Sequence, residues 1–463
     1  MQVQDRLIDA PQVREGQYGA RLAAVEPGGS EFIPLAERHG RSGQLFWTWT
    51  SPNLEFATVF VGVISVAFFG LGLGQAVLAL ALGTGLGAIT QGVLSARGPA
   101  LGVSQMVQSR VAFGWWGNVL PAGLQAVTSG IGWFAVNSVS GALALNSLTG
   151  LPKPLGLVLV VVAQLTIAFF GHNLVQAFER TVFPVLAVVF VLAAVFTFLD
   201  AQPSSVQATG GTGGFLLTAG AAFGYAAGWN PYASDYTRYL PVDASRRATG
   251  LFAGLGLFTS CLLLEVAGAA SATIPGGGDN PTTAFTGHLP HLLGNLTLLA
   301  IALGAVSANA INIYSGALSF TALPFQLPFS ARRAVTALGF GAVGFVLALT
   351  GLSDAGAKYE SFLLVIAYWI GPWLAVVLTD QVLRRREQTG GLLFDRRHLG
   401  WPGPVSMLLG MAVSIPLFSA QSRFVGAVAK AHPGLGDITF EVGMLVAAIA
   451  YAVLLPLSRR AAR

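Results

Sequence analysis

A carboxylate inside an apolar stretch needs a partner, and this sequence has one early. Glu55 lies within the stretch 46–69. A charged acid at mid-membrane depth costs several kcal/mol, so it must be protonated, paired or hydrated. Two functions fit it: carrying a proton, or accepting a hydrogen bond from a substrate N–H. The plainer alternative is an interior carboxylic acid satisfied by its neighbours. Glu265 is a second acid of this kind, in 248–274, with no partner legible in the sequence. Trp133 and Asn137 are four apart and share a helix face, and Asn309 and Asn312, three apart, share another, with Ser307 and Ser315 in the same stretch. Trp133 and Trp229 offer flat apolar walls, and carboxamides offer paired donors and acceptors. A flat heteroaromatic ring with an amide-like edge suits such a setting. The plainer alternative is helix–helix bonding by Asn and interface anchoring by Trp. Four such residues in two facing elements favour a ligand site. Asp235 and Arg238 are spaced to pair along a helix as a structural or gating contact, and Asp380 beside Arg384, Arg385 and Arg386 reads as a solvated helix end.

The elements that position these residues follow from composition. Of 463 residues, 54% are hydrophobic and only 10% charged, and the mean hydropathy is +0.66. A soluble domain carries about 25% charged residues. So few charges cannot cover a surface in water, and the surface must face lipid. Apolar stretches predict spans near 46–69, 75–95, 115–146, 155–171, 181–199, 215–237, 248–274, 292–323, 334–352, 359–383, 403–420 and 438–457. The expected class is all-α integral membrane with about twelve transmembrane helices. Gly70 to Gly74 reads as a turn between the first two. The third and eighth stretches exceed one crossing and should tilt or project. Cytoplasmic loops collect Lys and Arg. With the N-terminus inside, every Lys and Arg falls on the cytoplasmic side, from Arg6 and Arg14 to Arg332, Arg333, Arg460 and Arg463, except Lys153, Lys358, Arg423 and Lys430. An even span number with both termini cytoplasmic follows, in the cytoplasmic membrane.

Several classes of function are disfavoured. The net charge of +5 follows topology rather than a basic face, so nucleic acid is not a partner. Cys261 is the lone cysteine and reads as a small buried residue. No Cys/His spacing suggests a metal, no phosphate-binding Gly-Lys-Ser/Thr loop suggests ATP, and no selectivity filter suggests a channel. No nucleophile–base pair is evident, so an enzyme is not expected. The first 45 residues carry no signal-peptide core.

Two spans are interrupted by proline. Pro52 follows Trp49 and Ser51 in the first, and Pro231 follows Trp229 and Asn230 in the sixth. Proline removes a helix hydrogen bond and frees a carbonyl. Five spans apart, the two cross in opposite senses. Paired broken helices of this kind point to a transporter's central site.

At these residues the sequence resembles the nucleobase:cation symporter-1 family, and most closely its purine–cytosine permease branch. The resemblance rests on Phe46–Leu54, Ser109–Gly114, Gly132-Trp133, Gly228–Pro241, and Ile370-Gly371-Pro372 with Asp380. It implies a LeuT-like arrangement: a first five-helix repeat over 46–199, an inverted second over 215–383, and two further helices over 403–457. A cytoplasmic segment, 1–45, and a tail, 458–463, flank them. It implies import of a nucleobase-like ring by alternating access, with a proton or sodium ion as the only cofactor and the bilayer and substrate as partners. A monomer or weak homo-oligomer is expected. Substrate residues carry over to Ser51 or Glu55, Trp133, Asn137, Trp229 and Asn312, with Asn309 beside them. Tyr225, a turn earlier than Trp229, is the alternative stacking residue. A sodium site carries over to Ser51, Leu54, Leu303, Val306 and Ser307. Val306 replaces a hydroxyl there, and hard cations want oxygens. Together with Glu55 this favours protons. Allantoin, a hydantoin, a thiamine precursor or an amino acid are alternative cargoes.

Overall fold

The structure is a computed structural model that describes residues 21–22, 26, 29–275, 281–324, 329–352, 355–421 and 423–461. Arg6, Arg14 and Arg463 of the charge count lie outside the described residues, as do the side chains of Arg332, Arg333 and Arg460. In an apolar solvent each backbone N–H and C=O must be satisfied within its own segment, so the apolar stretches become helices. Helices stand at all twelve expected positions, numbered here first to twelfth. The first is Gln44–Asn53 followed by Phe56–Ala67. Then come Leu73–Ser95, Val119–Thr149, Lys153–Phe170 and His172–Asp200. The sixth is Gly211–Ala227 continued by Ala233–Thr237, and Arg246–Ser271 and His291–Thr321 follow. The last four are Phe329–Gly351, Ala355–Leu383, Pro402–Phe418 and Thr439–Ala461. Among the described residues eight helices are long and apolar enough to cross a bilayer, and the bent first pair makes a ninth. Leucine and valine side chains stand exposed along these helices, from Leu78 and Leu82 to Val188 and Leu445. This is a multi-pass membrane protein.

The boundaries differ from the sequence reading in one place that matters. The fifth helix begins at His172, nine residues before the expected 181. The charge of Arg180 suggested a helix end. It lies exposed on the helix side while its neighbour Glu179 is fully buried. At the expected turn, Gly70 takes φ +68°, which lets the chain reverse before Leu73. The eighth helix has 31 residues, about 46 Å at 1.5 Å per residue, so it projects beyond a core of about 30 Å.

Helix pairing reveals the internal symmetry. The first packs on the seventh and the sixth on the second; the fourth on the eighth and the ninth on the third; the fifth on the first and the tenth on the sixth. Exchanging each helix for the one five places away turns each of these pairings into its counterpart. The second–seventh and third–eighth pairings map onto themselves. That is a five-plus-five repeat. The eleventh and twelfth helices pack on each other and on the tenth. Asp380 is not a solvated end. It is buried, accepts a 2.6 Å hydrogen bond from Tyr451 of the twelfth helix, and pairs with Arg384 at 2.7 Å.

Candidate functional site

The two breaks are made differently. In the first helix, Ser51–Asn53 tightens to a 3-10 turn and Glu55 is fully extended (φ −148°, ψ 171°), so the helix resumes at Phe56 after a 60° bend. In the sixth, the backbone stays right-handed through Gly228 and Trp229 and tightens over Asn230–Tyr232. The third helix has its own irregularity, a π-helical turn over Thr128–Trp133 that ends on a candidate site residue. Such turns and breaks are places where backbone is reshaped around a site.

Ser51, Glu55, Trp133, Asn137, Tyr225, Trp229, Asn309 and Asn312 are each at most 5% exposed, and the fold divides them into two groups. Glu55 joins Tyr225 and Trp133. The Tyr225 hydroxyl donates to Glu55 Oε1 at 3.2 Å and also meets Thr58 Oγ1 at 2.5 Å. Its ring stands edge-on to Trp133 with centroids 5.5 Å apart. Among the described residues Glu55 Oε2 is buried with no partner. Trp229 instead belongs to the opposite side of the break: its Nε1 donates to Asn53 Oδ1 at 2.8 Å, and its ring meets Trp49. Of the two aromatic candidates on the sixth helix, Tyr225 is the one that faces Trp133.

The amides form a chain. Asn137 and Asn312 each donate to Asn309 Oδ1 at 3.2 Å. Asn309 Nδ2 is committed to the Phe134 carbonyl and to Gln164 Oε1, at 3.0 and 2.9 Å. Asn309 therefore ties the third, fourth and eighth helices together. Tyr232 donates to Asn312 Oδ1 at 2.8 Å. Among the described residues Asn137 Oδ1 has no hydrogen-bond partner. A buried amide oxygen without a partner is costly, and Asn137 lies one turn beyond Trp133 on the third helix.

Ser51 and Ser307 stand 3.4 Å apart, oxygen to oxygen. The Leu54 carbonyl lies against Gly304, and Leu303 is half-buried beside it. Ser307 donates to Glu179 Oε2 at 2.6 Å. Sequence reasoning missed Glu179 because the adjacent Arg180 placed it outside the fifth span. Glu265, left without a partner by the sequence, accepts from Thr84 at 2.6 Å. Among the described residues no His, Cys, Asp and Glu group is arranged to hold a metal ion.

Two features flank the site. On one side an apolar cavity of about 230 Å³ is walled by Phe56, Gly132, Tyr359 and Phe362, with the exposed Thr350 and Lys358 among its lining residues. Trp133 packs against Phe362 and Tyr359 at its edge. On the other side Arg238 does not pair with the Asp235 carboxylate. It forms a buried 3.1 Å ion pair with Glu26, which also accepts from Tyr239 and from the His172 amide. Asp235 accepts instead from the Gln105 amide. A segment before the first helix thus closes one end of the bundle.

The family model described as a permease for cytosine/purines, uracil, thiamine and allantoin matches residues 32–443. The chain belongs to this permease family. A purine-cytosine permease of Emericella nidulans is 30% identical, over 94% of this chain and 90% of its own. A purine-cytosine permease of Saccharomyces cerevisiae is 29% identical over 88% and 81%. A hydantoin permease of Microbacterium maritypicum is 25% identical over 73% and 74%. Among solved structures, the nucleobase-cation-symport-1 transporter Mhp1, closed with bromovinylhydantoin bound, superposes with a TM-score of 0.72 at 19% identity, covering 94% and 96%. This permease therefore has the LeuT-like fold of Mhp1, and its relatives are transporters rather than enzymes.

Proposed function

We propose that this permease imports a nucleobase (cytosine, a purine or a related heterocycle) by alternating access across the cytoplasmic membrane, with both termini inside. The observation that carries the reading is the convergence at the first-helix break. Trp133 and Tyr225 supply flat faces there, and Glu55 Oε2 is a buried acceptor without a partner among the described residues; Asn137, one turn beyond Trp133 on the third helix, offers a second at its Oδ1. A nucleobase edge presents N–H donors to such acceptors and a ring to such faces. Asn312 of the eighth helix and Trp229 of the sixth complete the proposed site, with Asn309 as the brace of the amide chain. The cavity beside Trp133 is the route from outside, and the Glu26–Arg238 pair is the inner seal. Protons drive the uptake, and a buried acid near the first break carries them. The purine–cytosine permeases among the relatives support the choice of cargo.

The test is counterflow in liposomes. Purified protein is loaded with unlabelled compound and offered labelled cytosine, adenine, hypoxanthine, uracil, allantoin or a hydantoin. The expected result is saturable exchange of a nucleobase, recovered chemically unchanged. Exchange of allantoin or a hydantoin with no nucleobase exchanged would overturn the cargo. Chemical conversion or unsaturable flux would overturn transport itself.

A further inference from the structure

We propose that Glu179, rather than Glu55, carries the coupling proton, through a buried contact that joins the fifth, eighth and broken first helices. The inference rests on the importer reading and names the group that couples it.

Glu179 is fully buried and accepts a 2.6 Å hydrogen bond from Ser307 at its Oε2, with the Ser51 hydroxyl as a second neighbour. Among the described residues its Oε1 meets no donor at hydrogen-bond geometry. Ser307 is in turn 3.4 Å from Ser51, the first residue of the 3-10 turn that precedes the 60° bend. One turn earlier on the fifth helix, Gln176 accepts from Thr48 of the first at 2.9 Å. The carboxyl is therefore placed where the bent helix leans on two long helices. Any motion of the bent helix against them uncovers it.

The groups around it offer no counter-charge. The eighth helix brings Ser307 and the first brings Ser51. The sixth brings Tyr236 to the same region. The seventh carries Cys261 and Glu265, the latter bonded to Thr84, and the fourth carries Lys153 at the end remote from His172. Arg180 is next in sequence but exposed on the helix side. Among the described residues Glu179 has no ion pair. A carboxylate met only by serine hydroxyls in such a place is strongly disfavoured, and a neutral carboxylic acid is not. In the closed arrangement the group holds its proton. When the first helix parts from the eighth and water enters, the group can ionise. An O–H bond forms with a proton from water on one side and breaks to water on the other, so each cycle moves one proton with the substrate. Glu55 differs in place: its carboxyl is bonded to Tyr225 beside Trp133, where substrate is proposed to lie.

The experiment uses the full chain in liposomes and whichever compound the wild type exchanges, with two readouts: counterflow without a gradient, and accumulation with acid outside. One proton per substrate and a one-unit pH difference support up to about tenfold accumulation. Glu179→Gln is expected to keep counterflow while accumulation falls to a ratio near one. Ser307→Ala removes the 2.6 Å donor to the carboxylate, so the pH at which accumulation is half lost is expected to rise. Wild-type accumulation by Glu179→Gln, or an unmoved pH profile in Ser307→Ala, overturns the proposal even if Glu179→Gln alone folds poorly. Accumulation driven by a sodium gradient at equal pH, and not by a pH gradient, also overturns it. Absence of counterflow in the wild type would count against the importer reading instead.

Discussion

Tyr232 donates its hydroxyl to the side-chain carbonyl of Asn312 at 2.8 Å. The same Asn312 uses its amide to reach Asn309, so both ends of the proposed substrate-binding amide are occupied by protein. A substrate must displace one of them, and Tyr232, which follows Pro231 in the broken sixth helix, is the partner on the interrupted element. Removing a neutral hydrogen bond is worth about 1 kcal/mol, or about fivefold in affinity. Tyr232→Phe is therefore expected to lower the Km for uptake by up to about fivefold, by freeing the Asn312 carbonyl. Asn312→Ala is expected to abolish uptake while the protein still reaches the membrane. Uptake assays beside surface quantification check both; normal uptake by Asn312→Ala would remove this residue from the site.

Glu55 and Trp133 are expected to act on binding. Glu55→Gln leaves the Tyr225–Thr58 contact in place but replaces one carboxyl oxygen, which can accept, with an amide nitrogen that can only donate. Substrate-induced quenching of tryptophan fluorescence should weaken by about fivefold, the scale of a neutral hydrogen bond of about 1 kcal/mol. Trp133→Ala should abolish binding, since it removes the flat wall, and Trp133→Phe should retain part of it. Unchanged binding by Glu55→Gln would separate Glu55 from the substrate.

Much of this was legible in the sequence, for a physical reason. Lipid enforces helices, so apolar length placed a helix in each of the expected spans, while Arg180 misplaced the start of the fifth. Proline located both breaks, because it cannot donate the missing hydrogen bond. The third and sixth helices do bring Trp133 and Tyr225 to Glu55, while Asn137 and Asn312 meet at Asn309 in a separate group. Partner choice was not legible. Asp235 and Arg238 have the spacing of a pair, yet Arg238 bonds Glu26, more than two hundred residues away. Spacing along a helix encodes only local neighbours. Glu179 was hidden for the same reason: an adjacent arginine says where a helix meets water only if both side chains face the same way, and these two do not.

The proposed inner seal has an expected energetic signature. Arg238 is fully buried, and Glu26 is its ion-pair partner. Removing one member of a buried pair costs about 3–5 kcal/mol, because the other is left uncompensated. Glu26→Gln keeps the shape and removes the charge. It should destabilise the state closed at that end, and hydrogen–deuterium exchange over residues 229–240 should rise. A rate unchanged from wild type would mean that the pair does not hold the bundle shut.

Where helices cross, glycine sets how closely they approach. A methyl group added at Gly62 would lie 1.7 Å from the Glu265 carbonyl oxygen, and one at Gly268 would lie 1.8 Å from that of Val59. Each glycine thus faces backbone of the opposite helix, the first against the seventh, and backbone cannot rotate away as a side chain does. Small residues at such crossings let helices touch in the absence of a hydrophobic driving force. Gly62→Ala or Gly268→Ala should separate the two helices and displace Glu55, which sits at the start of the same segment. Gly123, in the third helix, is the control: a methyl group there meets nothing within 4 Å, and alanine is the better helix former by about 1 kcal/mol. Size-exclusion profiles and melting temperatures of the detergent-purified variants decide it. Gly123→Ala should match or exceed the wild type, while the other two should aggregate or melt well below it. A stable, transport-competent Gly268→Ala would show that the first and seventh helices can move apart without disturbing the break, and would remove close packing as the reason the bend is held where it is.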